Sequence, residues 1–232
     1  MIVSLTIIRY RKLFIPVALL AMAIHRIPLW LTSKITFYKL LGCGKNGTFD
    51  LKPDWQQWGL LATWKNQADF DQFYSSSFIA WWWKTFSNEQ WTILCEPLIS
   101  RGKWDEIDPF IVENTELNYA GPVVVLTRAS IRLGKLKRFW MNVDNVAQLM
   151  CNSPGYLTSI GIGEAPFFLQ GTFSVWKDIG SMQAFAYQSP EHIAVIRKTR
   201  EEKWYSEELF ARFKPVKAFG TIKGINPLNG VI

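Results

Sequence analysis

A chain of 232 residues with 49% hydrophobic and 19% charged residues can bury a large core, which excludes a disordered or linker protein. Its net charge of +7 would suit nucleic acid, an anionic lipid surface or an acidic protein partner. No run of Lys and Arg is interleaved with aromatics on a groove-binding element, so nucleic acid is the weakest of the three. Cys43, Cys95 and Cys151 are odd in number, far apart and without a CxxC pair, which argues against a disulfide scaffold or a zinc cage and suits a reducing cytoplasm.

The first predicted element is a strand over Val3 to Tyr10. The apolar run Leu13 to Ile24 then follows Arg9, Arg11 and Lys12 and imitates a secretory signal, with Ala21-Met22-Ala23 as cleavage site. The preceding residues already read as strand, and the run is shorter than the ~20 apolar residues a bilayer requires. It is read as part of a first helix, Leu13 to Trp30, amphipathic or buried, with a peripheral membrane contact left open. A strand over Phe37 to Leu41, a long loop and a strand over Gly59 to Trp64 come next. Asn66 caps a helix from Gln67 through Trp83, and Trp91 to Glu96 is the last strand of this half.

After a turn-rich linker, Asp105 to Pro122, the same order returns. Val123 to Arg132 is a strand, Lys135 to Met150 a helix, Thr158 to Ile162 and Thr172 to Trp176 two strands, Ile179 to Lys203 helical, and Glu208 to Val216 the final strand. Asp178 stands where Asn66 stood, as N-cap.

The two halves are near copies. Gly59, Trp64, Lys65 and Phe73 reappear as Gly171, Trp176, Lys177 and Phe185, each 112 residues on. Leu5-Thr6 with Arg11 matches Leu126-Thr127 with Arg132, and Gly42-Cys43-Gly44 matches Gly161-Ile162-Gly163, giving the first copy seven extra residues in the loop after its glycines. Such a period indicates duplication. The order βαββαβ is that of the ferredoxin-like plait, and two tandem repeats predict an α+β fold of the dimeric α+β barrel type, helices outside. The expected units are a first ferredoxin-like repeat over 1–112, a second over 121–220 and a tail over 221–232.

Gly42-Cys43-Gly44-Lys45-Asn46-Gly47 satisfies GxGxxG, but a dinucleotide site needs a helix directly after it, and Thr48 to Pro53 is loop-like. No Ser-His-Asp order, HExxH or P-loop is present, and no carboxylate pair is marked. Nine of the twelve tryptophans lie in the first half, from Trp30 to Trp104, and serve either a core or an apolar pocket. Only two histidines exist. His25 sits beside Arg26 at the far end of the apolar helix and reads as interfacial. His192 follows the helix start Ser189-Pro190 and shares a face with Val195, Ile196 and Thr199, as a core residue or a ligand. Alternation puts Leu126, Arg128, Ser130 and Arg132 on one strand face, where arginines facing a barrel interior need carboxylates and arginines facing solvent need nothing. Arg197-Lys198-Thr199-Arg200 reads as a solvated helix face that also suits an acidic electron donor.

These segments resemble a family. Lys39 to Gly44, Arg101 to Trp104, Leu126 to Arg132, Arg138-Phe139-Trp140, Ile160 to Glu164 with Phe173 to Trp176, and His192, Ile196, Arg197, Arg200, Trp204 and Glu207 to Phe213 are similar to spheroidene monooxygenase, the acyclic carotenoid ketolase, over roughly Phe37 to Phe213. The tail after Phe213 and the Trp81-Trp82-Trp83 run depart from that pattern.

The resemblance implies a haem-dependent monooxygenase that hydroxylates a terminal carbon of an acyclic carotenoid and oxidises it again to a ketone, using O2 and electrons from reduced ferredoxin. It implies His192 as iron ligand, Arg197 beside the cofactor, and Arg128 or Arg132 stabilising bound oxygen or a haem propionate. The chain would be cytoplasmic, with or without membrane association. Alternatives are a non-catalytic barrel binding an apolar ligand, or a haem enzyme of the same fold with another substrate. Position 80, the counterpart of His192, is Ala80, which assigns the chemistry to the second copy.

Overall fold

The computed structural model describes residues 1–45, 52–113, 119–165 and 167–232. Its eight strands are β1 (Ile2–Tyr10), β2 (Ile35–Gly44), β3 (Pro53–Trp64), β4 (Ser87–Gly102), β5 (Val123–Ile131), β6 (Tyr156–Ala165), β7 (Leu169–Trp176) and β8 (Tyr205–Gly220). They close one antiparallel barrel in the order β1-β3-β2-β6-β7-β5-β8-β4. Each half therefore shows the same sequence of neighbours, β4-β1-β3-β2 and β8-β5-β7-β6. One seam, β4 with β8, has eleven register pairs; the other, β2 with β6, has two, Gly42 with Gly163 and Cys43 with Ile162.

Period-two alternation decides what lies inside. Val3, Leu5 and Ile7 of β1 and Val124 and Leu126 of β5 point into one cluster with Phe173, Val175, Ala211 and Phe213. Their neighbours Ile2, Ile8 and Tyr10, or Val123 and Val125, point outward under the helices. An eight-stranded barrel is just wide enough for its own side chains to fill it. Trp104 and Phe110 from the linker and Ile222 and Leu228 from the tail join the interior cluster, and Asn226 Oδ1 accepts from Trp91 Nε1 at 3.2 Å. The tail is thus packed into the barrel, at the end where β8 finishes.

Among the described residues seven helices cover the outside: α1 (Ile15–Ile24), α2 (Arg26–Leu31), α3 (Gln67–Ser76), α4 (Phe78–Phe86), α5 (Leu136–Cys151), α6 (Ile179–Gln188) and α7 (Pro190–Glu201). The single helices expected over 13–30 and 67–83 are each two. A 3-10 turn, Lys12–Phe14, precedes α1, and α1 and α2 meet at His25. Ser77 is extended and its Oγ accepts from Ala80 N at 3.0 Å, starting a new helix, just as Ser189 does for α7 by accepting from His192 N at 3.5 Å. Cleavage at the signal-like Ala21-Met22-Ala23 would remove β1, which is paired on both sides.

Register corrects the glycine alignment. Leu41 pairs with Gly59 as Ile162 pairs with Gly171, so Gly42 corresponds to Gly163 rather than Gly161, and the first copy has nine extra residues there rather than seven. A slip of two leaves every side chain on its original face, so periodicity alone does not detect it. Gly42 and Gly44 lie in β2, β3 starts at Pro53, and Asn46 and Gly47 of the GxGxxG pattern lie outside the described residues.

Both predicted caps form. Asn66 Oδ1 accepts from Asp69 N at 3.0 Å and Asp178 Oδ1 from Ser181 N at 2.6 Å. The Ser181 N–H, against a small opposing effect of burial, holds the Asp178 carboxyl below the usual range. Asp178→Ala is expected to cost about 1 kcal/mol in urea unfolding, and Asp178→Asn, which keeps the acceptor, much less. Equal costs would mean that charge rather than the acceptor matters.

Candidate functional site

His192 occupies the third position of α7, where the Ser189 cap fixes the start of the helix and Pro190 supplies a φ already suited to it. Its ring stacks on Phe185 (centroids 4.8 Å, 24°), and Phe185 stacks on Trp176 (5.4 Å, 25°), so three rings lead from the outer face of β7 to α7. The first copy keeps two rungs, Trp64 and Phe73 (5.0 Å, 49°), has Ala80 at the third, and packs Trp83 against Phe73 instead.

His192 Nδ1 lies 3.0 Å from the Ala186 carbonyl oxygen. A carbonyl only accepts, so Nδ1 carries the proton and the Nε2 lone pair is free to bind a metal. Burial lowers the pKa of the imidazole and the Ala186 carbonyl opposes this, leaving the ring neutral near pH 7. A half-buried, neutral imidazole with a fixed tautomer has the donor chemistry of an axial haem ligand, and on this observation the residue fits the group.

His25 is buried, not interfacial: it is 2% exposed, and its Nε2 has no partner among the described residues. Edge-to-face contacts with Trp82 (5.5 Å) and Trp83 (6.4 Å) enclose it, and burial pushes its pKa down to about 4. It also lines a cavity of about 20 Å³, room for roughly one water, together with Tyr10, Trp58 and Trp83.

The arginines are elsewhere. Arg128 follows Val124 and Leu126 on the inner face of β5 and is 2% exposed. His192 reaches the sheet through Trp176, which packs with Val123 and Val125 on the outer face. The two residues are therefore on opposite faces of the sheet and do not share a site. Arg132 lies beyond the end of β5, is exposed, and donates from Nε to the Tyr205 carbonyl at 3.1 Å, because the strand gives way to the 3-10 turn Leu133–Lys135. Arg197 is exposed on α7, about 140° around the helix from His192.

Arg128 belongs to a charged cluster at the linker end of the barrel. It bonds to Glu207, lies 3.5 Å from Glu164 and 3.7 Å from Asp105, and sits over the Trp104 ring at 5.3 Å. Lys39 Nζ is 2.7 Å from Glu164 and also bonds Asp105, while Trp104 Nε1 donates to Glu164 at 2.6 Å. Glu207 further accepts from the Glu106 and Asp105 backbone N–H groups at 2.8 and 3.2 Å. Burial alone would raise the Glu207 carboxyl, but Glu106 N–H, Arg128 and Asp105 N–H together hold it below the usual range. Sequence reasoning identified Arg128 and the need for carboxylates but not which ones. The available signal was that Lys39, Trp104, Arg128, Glu164 and Glu207 each sit in a different one of the family-like segments.

The tryptophan surplus is mostly core. Trp64, Trp91, Trp104, Trp176 and Trp204 are fully buried, whereas Trp30, Trp55 and Trp81 are exposed.

No family model matches the chain. The fold is that of solved aldoxime dehydratases: one, in complex with butyraldoxime, has a TM-score of 0.59 at 10% identity, covering 93% of this chain and 79% of that one, and a second has 0.57 at 10%, covering 98% and 86%. In sequence the chain is 35% identical to spheroidene monooxygenase of Rhodobacter capsulatus over 215 residues, 92% of this chain and 89% of that protein. It is 33% identical to the Cereibacter sphaeroides protein over 84% of this chain and 60% of the relative, and 32% to that of Rubrivivax gelatinosus over 81% and 72%. With the six family-like segments spread over both halves of the barrel, and likeness of this extent to three such proteins, the chain belongs to the spheroidene monooxygenase family.

Proposed function

We propose that the protein is a haem-dependent monooxygenase acting on an acyclic carotenoid, and that His192 of α7 would hold the cofactor. The observation that carries the haem assignment is the His192 tautomer, fixed by Ala186 so that Nε2 is available. The monooxygenase assignment follows from the family. Bound haem supplies O2 activation. Each round converts a C–H bond, O2, two electrons and two protons into C–OH and water, and a second round at the same carbon, a methylene near the end of the carotenoid chain, gives a gem-diol that loses water to become the ketone.

The chain's own residues have three tasks. His192 presents Nε2 to the iron and Ala186 fixes its tautomer. Phe185, backed by Trp176, packs against the imidazole and excludes water from one side of it. Arg197, Lys198 and Arg200, exposed on the same helix, offer a positive surface to an acidic donor such as reduced ferredoxin. The packed interior argues for a substrate site outside the barrel, beneath the helices. The shared strand order supports reading 1–112 and 121–220 as ferredoxin-like repeats, the second carrying the haem site.

Haem reconstitution tests this. The wild-type chain should develop a Soret band, His192→Ala should lose or shift it, and His25→Ala should keep it. In a lycopene-producing host the wild type should yield oxygenated product and His192→Ala none. An unchanged band in His192→Ala would overturn the assignment.

A further inference from the structure

α1 and α2 are built inside out. In α1 the buried residues are Ala18 and Ala21, and in α2 only Leu29. Val17 and Ile24 pack against the body, but most other bulky side chains face outward: Leu13 of the preceding turn is 81% exposed, Leu20 of α1 52%, and Ile27, Trp30 and Leu31 of α2 64%, 78% and 67%. Small residues let the helix approach the sheet closely, but they leave the large apolar surface uncovered. Phe14 packs on Phe86 at 5.4 Å and Trp81 on Phe86 at 6.3 Å, so the exposed Trp81 of α4 continues the same face. Contiguous apolar surface of this kind marks an interaction site.

Charge identifies the partner. No Asp or Glu occurs between Arg11 and Lys34 or within α4, while Arg11, Lys12, Arg26 and Lys84 are all exposed around the patch. Exposed Leu and Trp on segments whose own charges are all cationic match a bilayer with anionic headgroups, the tryptophans lying at headgroup level, and the nearby acid Asp69 is paired with Lys34.

We infer that α1, α2 and the exposed edge of α4 form a monotopic docking surface for an anionic lipid bilayer. The run Leu13 to Ile24 is too short to span a bilayer, but with α2 included the stretch Lys12–Leu31 is long and apolar enough to cross a membrane by length and composition. It lies on the bilayer instead, because Ala18, Ala21, His25 and Leu29 are buried against the body of the protein and crossing would strip that contact. The inference deepens the carotenoid reading, since a bilayer is where a long polyene dissolves, but vesicle binding needs no haem and the two fail separately.

The test is co-sedimentation of the full chain with vesicles of phosphatidylcholine alone or mixed with phosphatidylglycerol. The wild type should pellet with the mixed vesicles and be released by alkaline carbonate. Leu13→Ser with Trp30→Ser, which removes exposed groups and leaves the thermal unfolding curve intact, should weaken partition at least tenfold. Arg11→Gln with Lys12→Gln and Arg26→Gln should weaken binding to the mixed vesicles by roughly fivefold per charge and leave binding to phosphatidylcholine unchanged. Wild-type protein remaining in the supernatant, resistance to carbonate, or a dimer that the Leu13/Trp30 variant converts to monomer would each overturn the inference.

Discussion

Arg128→Met is expected to lower the unfolding free energy by about 3–5 kcal/mol, the usual cost of removing one member of a buried ionic network. The guanidinium is almost wholly buried and faces Glu207, Glu164 and Asp105, so its loss leaves Lys39 as the remaining cation for Glu164 and Asp105 and leaves Glu207 with backbone N–H donors but no cationic partner among the described residues. Methionine keeps the volume and isolates the charge. Lysine should not rescue, because a point charge cannot address Glu207 and Glu164 at once or lie flat on Trp104. Adding Glu207→Gln should recover part of the loss, since the amide oxygen keeps the bond from Glu106 N and no charge is stranded, although the amide NH2 cannot replace the oxygen that accepts from Asp105 N. Urea unfolding of the two single variants and the double gives the coupling directly. A cost below about 1 kcal/mol for Arg128→Met, or strict additivity in the double, would mean that the cluster behaves as a surface network.

Acidification should destabilise the fold between about pH 6.5 and 4. Burial holds His25 at about 4, against an ordinary value of 6.5. The folded chain thus binds fewer protons than the unfolded chain in this range. The associated stability is complete above 6.5, declines as pH falls toward 4 and is gone below that, about 3 kcal/mol in all. His192, also lowered by burial, acts in the same direction. Glu207 is held below the usual carboxylate range and contributes only at lower pH. His25→Gln should flatten much of the dependence of the urea midpoint on pH between 7 and 4.5. A wild-type midpoint that stays constant or rises on acidification would contradict the burial of a neutral imidazole.

The halves were legible because Trp-Lys followed by a cap is a compact local signal, and Asn66 and Asp178 cap as the sequence implies. The Ser189 break was legible because Pro190 follows it. The equivalent break at Ser77 was not, since Phe78 does not forbid continuation. His25 was misread for a related reason: α1 is apolar all round, so no polar stripe shows which side meets the sheet. The carboxylates of Arg128 could not be assigned because Asp105, Glu164 and Glu207 arrive from three distant segments that only barrel closure brings together. Arg132 was placed one residue beyond the point where the alternation applies, because the strand ends at Ile131.

The glycines that resemble a nucleotide loop have a mechanical meaning in the fold. Gly42 faces Gly163 where β2 meets β6, with just two register pairs against eleven on the opposite side. The barrel is thus closed by one short seam, with Lys39 of β2 also paired to Glu164 of β6 across it, and one long seam opposite. With fewer backbone hydrogen bonds to break, the short seam is expected to exchange its amide hydrogens sooner than the long one, which hydrogen exchange would show.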